Sequence, residues 1–415
     1  YMNLETGDSY LRSKKYQISS GDLIQSNAYS FNNVQSGFSL NNFVKPVISD
    51  NSKSVVFSPL YSELGNIIQV IQLDSLQINV NWDLKYSPQN SLRANIYETV
   101  SDSNSNTYSI VSKFYVNPDN LNTVFQKSYI VKYNSSGNLE DSIELDDSEG
   151  LTTIKLSIDQ SDHLIFLKRN SSSENVSLIK MSPILDEVWN INFPLNSSSS
   201  EKVLLDSQNN IYIITSEPSS IQPESSNVAI RKYSSIGELL FVSIYQSTDV
   251  NILQSIPTNC KLNTNGNLLI AGLSTDGSSA GFNFNYQPFL LNVTSGGSLV
   301  FFEHFPIANT TSTYVDLLSL GDETLLVSNT ENISSGIVEV YSFKVNSTGI
   351  TTTSNNYSIN NTNIYMQKIL HSTSTNRIFY VTTNLSTSDS NIQLTSWDED
   401  GSLLNTFDFE SNIFY

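Results

Sequence analysis

Short runs of Val, Ile, Leu, Tyr and Phe alternate with clusters of Asn, Asp, Ser and Gly along the whole chain. No stretch keeps a clean helical period. This pattern predicts an all-β chain of many short strands joined by tight turns. Its best-developed copy runs from Cys260 to Phe305: two strands around Asn265-Gly266-Asn267, a polar loop, then two strands around Thr294-Ser295-Gly296-Gly297. Gly297 stands where such a hairpin needs a positive φ.

The second hairpin of that stretch has relatives along the chain. They turn at Gly21, Gly137, Gly237, Gly349 and Gly401, and without glycine at Asp74-Ser75 and Pro183-Ile184. The spacing is roughly 50 residues, within the range of propeller repeats. Each is preceded by another hairpin with an Asp-, Asn- or Ser-rich turn, suited to left-handed backbone and side-chain-to-backbone bonds. Two hairpins per period make a four-stranded unit, and radial repetition of such units makes a β-propeller of four-stranded blades. An array of β-sandwich domains, two periods each, is the alternative.

Residues 37–410 read as seven four-stranded repeats, and 1–36 as an incomplete N-terminal blade. Residues 411–415 are then a tail or the start of a closing strand. Eight blades in a single domain over 1–415 is the expected count, because ring closure protects strand edges. Seven blades plus an N-terminal hairpin is the other arrangement.

Two units, NTNGNLLIAGLSTDGS…PFLLNVTSGGSLVFF and DSQNNIYIITS…VAIRKYSSIGELLFVS, resemble the bacterial SBBP-type β-propeller repeat. There a turn of the D-x-x-G-N type precedes a strand ending in Gly, and a later strand runs to a second glycine turn. Asn265-Gly266-Asn267 and Gly272 match, whereas most other units lack glycine at the position of Gly272. The resemblance implies the propeller fold and a surface or secreted scaffold.

Composition narrows the partners. The net charge is −19 with 15% charged residues, and Ser, Thr and Asn carry most of the polarity. No basic patch exists to neutralise phosphates, so nucleic acid is an unsuitable partner. Anionic membrane surfaces are disfavoured alike, and no apolar run is long enough for a helical span. The acidity serves solubility or takes divalent cations. Cys260 is the only cysteine, so no intrachain disulfide can form. The chain opens on Tyr1 without a signal-peptide pattern and is expected to be a piece of something longer.

No catalytic constellation stands out, and no resident cofactor is expected. His163 and His371 fall in predicted turns and His304 in an outer strand, at equivalent places in no two units. Ser and Asp are so abundant that only geometry could identify a triad. Five arginines, Arg12, Arg93, Arg169, Arg231 and Arg377, come without the turn motifs of a sialidase-like site. Trp82, Trp189 and Trp397 occupy outer-hairpin positions and read as packing aromatics. Calcium is the one metal suggested: Asp398 and Asp400 begin a D-x-D-G loop without its later ligands, and Asp146 and Asp147 lie in a second acidic loop.

Asn-x-Ser/Thr acceptors occur at Asn134, Asn170, Asn175, Asn196, Asn292, Asn309, Asn332, Asn346, Asn356, Asn360 and Asn384. That number is what this composition produces by chance. The loops at about 275–287 and 216–227 are the contact candidates, with Phe282, Phe284 and Tyr286 as rings for a sugar or a partner. The function expected is a non-enzymatic structural or binding module on a cell surface, an extracellular appendage or a virion. Its partners would be proteins, glycans or neighbouring copies. A secreted glycan lyase or hydrolase with its site in the central funnel is the rival.

Overall fold

The computed structural model describes residues 2–3, 8–16, 23–31, 46–48, 54–62, 65–73, 80–86, 93–117, 120–145, 151–170, 175–194, 202–218, 225–247, 252–275, 279–280, 283–358, 364–372, 377–385, 390–399 and 402–411. The chain divides into two compact units, Tyr1–Leu195 (with Tyr415) and Asn196–Phe414.

The first unit opens with a three-stranded antiparallel sheet of β1 (Met2–Asn3), β2 (Asp8–Tyr16) and β3 (Leu23–Phe31). Three four-stranded antiparallel sheets follow. They are β4 (Pro46–Ile48), β5 (Ser54–Ser62), β6 (Gly65–Leu73) and β7 (Val80–Tyr86); β8 (Arg93–Ser101), β9 (Thr107–Asn117), β10 (Asn120–Tyr133) and β11 (Leu139–Leu145); and β12 (Leu151–Ile158), β13 (Leu164–Asn170), β14 (Asn175–Met181) and β15 (Glu187–Pro194).

The second unit repeats the plan. Its first two sheets are β16 (Lys202–Leu205), β17 (Ile211–Pro218), β18 (Ser226–Tyr233) and β19 (Leu239–Tyr245), then β20 (Gln254–Leu262) and β21 (Leu268–Thr275). A two-stranded insertion, β22 (Ser279–Ala280) and β23 (Asn283–Phe284), interrupts the second sheet before β24 (Gln287–Val293) and β25 (Leu299–His304) complete it. A single parallel bridge, Ser226 to Gln254, joins the two. The last sheets are β26 (Thr310–Leu320), β27 (Glu323–Asn332), β28 (Val338–Val345) and β29 (Thr351–Ser358), and β30 (Ile364–Ser372), β31 (Arg377–Leu385), β32 (Ser390–Trp397) and β33 (Leu403–Ser411).

Among the described residues, one turn design closes most of the tight hairpins. Its first residue lends a side-chain oxygen to backbone N–H groups two and four residues on. Asp102, Asp159, Asp206 and Asn263 do this in first hairpins, and Asn134 and Asn346 in second ones. The fourth residue takes a positive φ: Gly137, Gly237, Gly266, Gly297 and Gly349, but also Ser105, Asp162, Asn209 and Leu185. The turn expected at Pro183-Ile184 therefore places leucine where its relatives place glycine. Leu185 is 4% exposed in the core, so burial offsets the strain. The turns expected at Gly21, Asp74-Ser75 and Gly401 lie outside the described residues.

From β8 onward, successive sheets within each unit stack face to face, and the described middle-strand side chains are covered on both sides. Leu164–Leu167, Ile211–Ile214 and Leu268–Ala271 are each at most 1% exposed. This explains why the middle strands read as continuous apolar runs rather than alternating ones. One core cluster joins β9 and β10 to β13 and β14 through Tyr108, Ile130, Phe166 and Ile179. Another joins β17 and β18 to β21, β24 and β25, and two more carry the stacking on through Val315 to Trp397.

Gly272 shows how closely this packing is fitted. A Cβ there would lie 2.3 Å from the Ile256 carbonyl oxygen and 2.3 Å from the Phe289 ring. Phe289 is itself 0% exposed and packs on Phe302.

The first strands are stitched side to side by polar groups. In the second unit Asn259 donates to Asp316 Oδ1, and the Ile369 N–H donates to Asp316 Oδ2 at 3.2 Å, linking β20, β26 and β30. Asp316 is 2% exposed. In the first unit Lys155 lies 3.5 Å from Glu98.

A second ionic element lies inside single sheets. Lys180 pairs with Asp159 at 2.8 Å and Lys232 with Asp206 at 3.3 Å, both lysines under 10% exposed. Burial alone would raise the Asp159 carboxyl, but the Lys180 ammonium and the N–H groups of His163 and Ser161 outweigh it and hold it below the usual carboxylate range. In the sheet of β20, β21, β24 and β25 the corresponding residues are Asn263 and Asn292, so acid and base are lost together.

Two outcomes follow in denaturant unfolding. Gly272→Ala forces overlap with backbone and ring and costs about 1–3 kcal/mol or more. Gly266→Ala has open space around it and costs only the left-handed backbone penalty, about 1 kcal/mol. A depressed carboxylate contributes stability above its unfolded pKa, and that contribution disappears as pH falls through the folded value. Lys180→Met therefore costs about 3 kcal/mol at neutral pH. The difference from the unmodified chain shrinks below about pH 4, where carboxylates protonate; a gap constant with pH would refute the pairing.

Candidate functional site

The connection between β21 and β24, residues 276–286, is the longest between second and third strands of any described sheet. It contains the small hairpin of β22 and β23, paired Ser279 to Phe284 and Ala280 to Asn283. Its C-terminal base is fastened to the next sheet. The Tyr286 N–H donates to Thr311 Oγ1 at 3.2 Å, and the Ser312 N–H donates to the Tyr286 carbonyl at 2.7 Å. Gln287 is the main clamp. Its Nε2 donates to Asn285 Oδ1 (2.9 Å), Thr310 O (3.0 Å) and Ile307 O (3.4 Å), while its Oε1 accepts from the Ile307 N–H (2.7 Å). One half-buried amide thus holds the loop base against the β25–β26 connection.

Beside this clamp lies a polar cluster around His304. Ser274 Oγ donates to the Gln287 carbonyl at 3.2 Å. Its lone pair is then left for His304 Nδ1, 2.9 Å away, which puts the imidazole proton on Nδ1. In the neutral ring Nε2 is then the acceptor of the Ser247 hydroxyl at 2.8 Å. The ring stacks on Phe302, with centroids 5.0 Å apart, and lies near Phe289. A hydroxyl hydrogen-bonded to a basic imidazole nitrogen is the beginning of a nucleophile pair, but the group orienting the ring here is a serine where hydrolases place a carboxylate.

The other candidates disperse. His163 closes the Asp159 turn, its Nδ1 3.4 Å from Asp159 Oδ1. His371, expected in a turn, lies in β30. Arg231 makes a two-pronged ion pair with Glu217 on its own sheet. Trp397 is 1% exposed and packs edge-on to Tyr357. Burial pushes the Cys260 thiol up to about 12, so it stays protonated and unreactive.

Asp398 Oδ1 accepts the Ser402 N–H, serving its turn. Asp400, Asp146 and Asp147 lie outside the described residues. Among the described residues no group of three His, Cys, Asp or Glu side chains could hold a metal ion.

Of the glycosylation acceptors, Asn175, Asn309 and Asn356 are exposed. Asn134, Asn332 and Asn346 spend Oδ1 on their turns. Asn170 and Asn384 lie in β13 and β31, and Asn196 and Asn360 lie outside the described residues. Asn292 is a correction: at 2% exposure within β24 it has no room for a glycan on the folded chain. Of the ring candidates, Tyr286 is half-buried at the loop base, Phe284 lies in β23, and Phe282 lies outside the described residues.

No family model matches the sequence, and no curated protein matches it. Among solved structures the chain is similar to the WD40 domain of SCAP from fission yeast, with a TM-score of 0.53 and 10% identity over 89% of this chain and 87% of that one. It is also similar to a PL25 polysaccharide lyase, an ulvan lyase, with a TM-score of 0.50 and 8% identity over 87% of this chain and 90% of that one. At such identities the likeness concerns the fold. Together with the four-stranded repeats, it makes this chain a β-propeller protein.

The clamp makes a local prediction. Gln287→Ala removes four hydrogen bonds at the loop base and should speed limited proteolysis within 276–286 several-fold, at a global cost of about 1–3 kcal/mol. Unchanged proteolysis would show that the loop is held by other means.

Proposed function

We propose that this chain is a non-enzymatic binding module: a rigid β-propeller scaffold of the SBBP-like kind, displayed outside the cell or on a virion. It contacts a protein or a glycan through the loop at 276–286. The observation that carries the reading is the loop's construction. A connection that serves only to turn the chain needs a few residues. This one adds a hairpin and fixes its base with Gln287 and Tyr286, which lowers the entropy lost when a ligand orders it. Its sequence also carries Phe282, Phe284 and Tyr286, rings of the type that stack on sugars and fill protein pockets.

A second reading, a glycan-active enzyme, draws on one observation, the Ser247–His304 hydrogen bond. Against it, the Ser274 hydroxyl stands at Nδ1 of His304, the place where a hydrolase triad has its orienting carboxylate.

The test is a glycan array with a parallel partner capture. It compares the unmodified chain with a variant carrying Gly-Ser in place of residues 279–284 and with Tyr286→Ala. Binding should fall at least about tenfold in both variants while the melting temperature holds. Full binding by the shortened variant would move the site elsewhere. Polysaccharide cleavage abolished by His304→Ala would replace this reading with the enzymatic one.

A further inference from the structure

The outermost strand of each sheet is an edge, with one row of backbone N–H and C=O groups open to pairing. Proteins ordinarily guard such edges with charge. The second, fourth and sixth residues after the preceding turn share one face of the strand. In β11 they are Glu140, Ser142 and Glu144, and in β29 they are Thr352, Ser354 and Asn356. In β25 the fourth, Phe302, is 5% exposed and packed in the core.

β19 departs from all of these. Its three residues are Leu240, Val242 and Ile244, exposed by 49%, 47% and 57%. Leu239 beside them is 55% exposed. The run from Leu239 to Ser247 contains no charged residue, in a chain of net charge −19. Among the described residues β19 pairs only with β18. An unguarded, apolar, uncharged edge in an acidic protein is what a strand-adding partner would use.

We propose that β19 is a docking edge for an extended peptide segment of another protein, which adds as a further strand of this sheet. Main-chain hydrogen bonds give the affinity. Apolar residues at alternate positions of the peptide lie beside Leu240, Val242 and Ile244. Lys or Arg flanks on the peptide complement the chain's net charge of −19. A second copy of this chain is disfavoured, because it brings the same −19 charge to a contact one strand wide. The inference goes beyond the loop at 276–286 and does not depend on it.

The probe is the synthetic peptide KKITVTIKK, titrated calorimetrically into the intact chain at low salt. Two comparison peptides are one with glutamate flanks and one N-methylated at alternate backbone nitrogens. Saturable binding is expected, weakened at least tenfold by glutamate flanks and abolished by N-methylation. Val242→Lys with Ile244→Lys should abolish it as well, at an unchanged melting temperature since both side chains are exposed. The shortened-loop variant should bind the peptide normally, which separates this edge from the proposed loop site. No binding, or equal binding of the N-methylated peptide, would overturn the proposal. Concentration-dependent dimerisation abolished by Val242→Lys would overturn it in favour of self-pairing. If the lysine variant does not fold, the N-methylated peptide alone decides.

Discussion

Every tight hairpin of this type has to satisfy one backbone demand: its fourth residue must enter the left-handed region, while its first supplies an oxygen to the N–H groups that the turn strands. In the second hairpins the strand after the turn carries one extra residue, opposite the step into Tyr133, Met181, Tyr233, Val293, Val345 and Trp397, whereas the first hairpins at Asp102, Asp159, Asp206 and Asn263 pair without one beside the same turn. A one-residue slip in a sheet exchanges its two faces. The bulge therefore decides which side chains of the outer strand enter the contact between sheets. A Cβ on Gly297 would lie 3.0 Å from the Phe241 ring, and one on Gly349 would lie 2.9 Å from the Phe301 ring. Turn geometry and sheet stacking are in this sense one constraint.

That constraint is why so much of the fold is legible in the sequence. The Asp, Asn, Ser and Gly clusters mark the turns, and the apolar runs between them mark strands covered on both faces. Leu185 is the exception that shows where the signal ends. Glycine is the cheap solution at that position, but a leucine sunk into the core beneath Tyr108 is another, and only packing reveals it.

The candidate site was far less legible. Phe284 and Tyr286 single out the loop at 276–286 because its length and composition are local properties. What fastens the loop is not local. Gln287 reaches Ile307 and Thr310, and His304 meets Ser247 across 57 residues and Ser274 across 30. Serine is so common here that no spacing could single out these two. The Asn259–Asp316 link has the same character: an amide and a carboxylate in neighbouring first strands are unremarkable until the fold puts them in contact.

The lysine–carboxylate pairs have a consequence for how such a chain can change. Lys180 and Asp159 belong to different hairpins of one sheet, as do Lys232 and Asp206. Replacing either partner alone leaves a buried charge without its counterion. The sheet with Asn263 and Asn292 has exchanged both. A hairpin exchanged between the sheets of Lys180 and of Asn292 would bring a lysine to an asparagine, whereas Lys132 and Lys344, at the same place in their strands, reach Glu140 and Glu323 instead. The lysine can therefore keep its place in a diverging repeat wherever some carboxylate of the same sheet, on the turn or off it, comes within its reach.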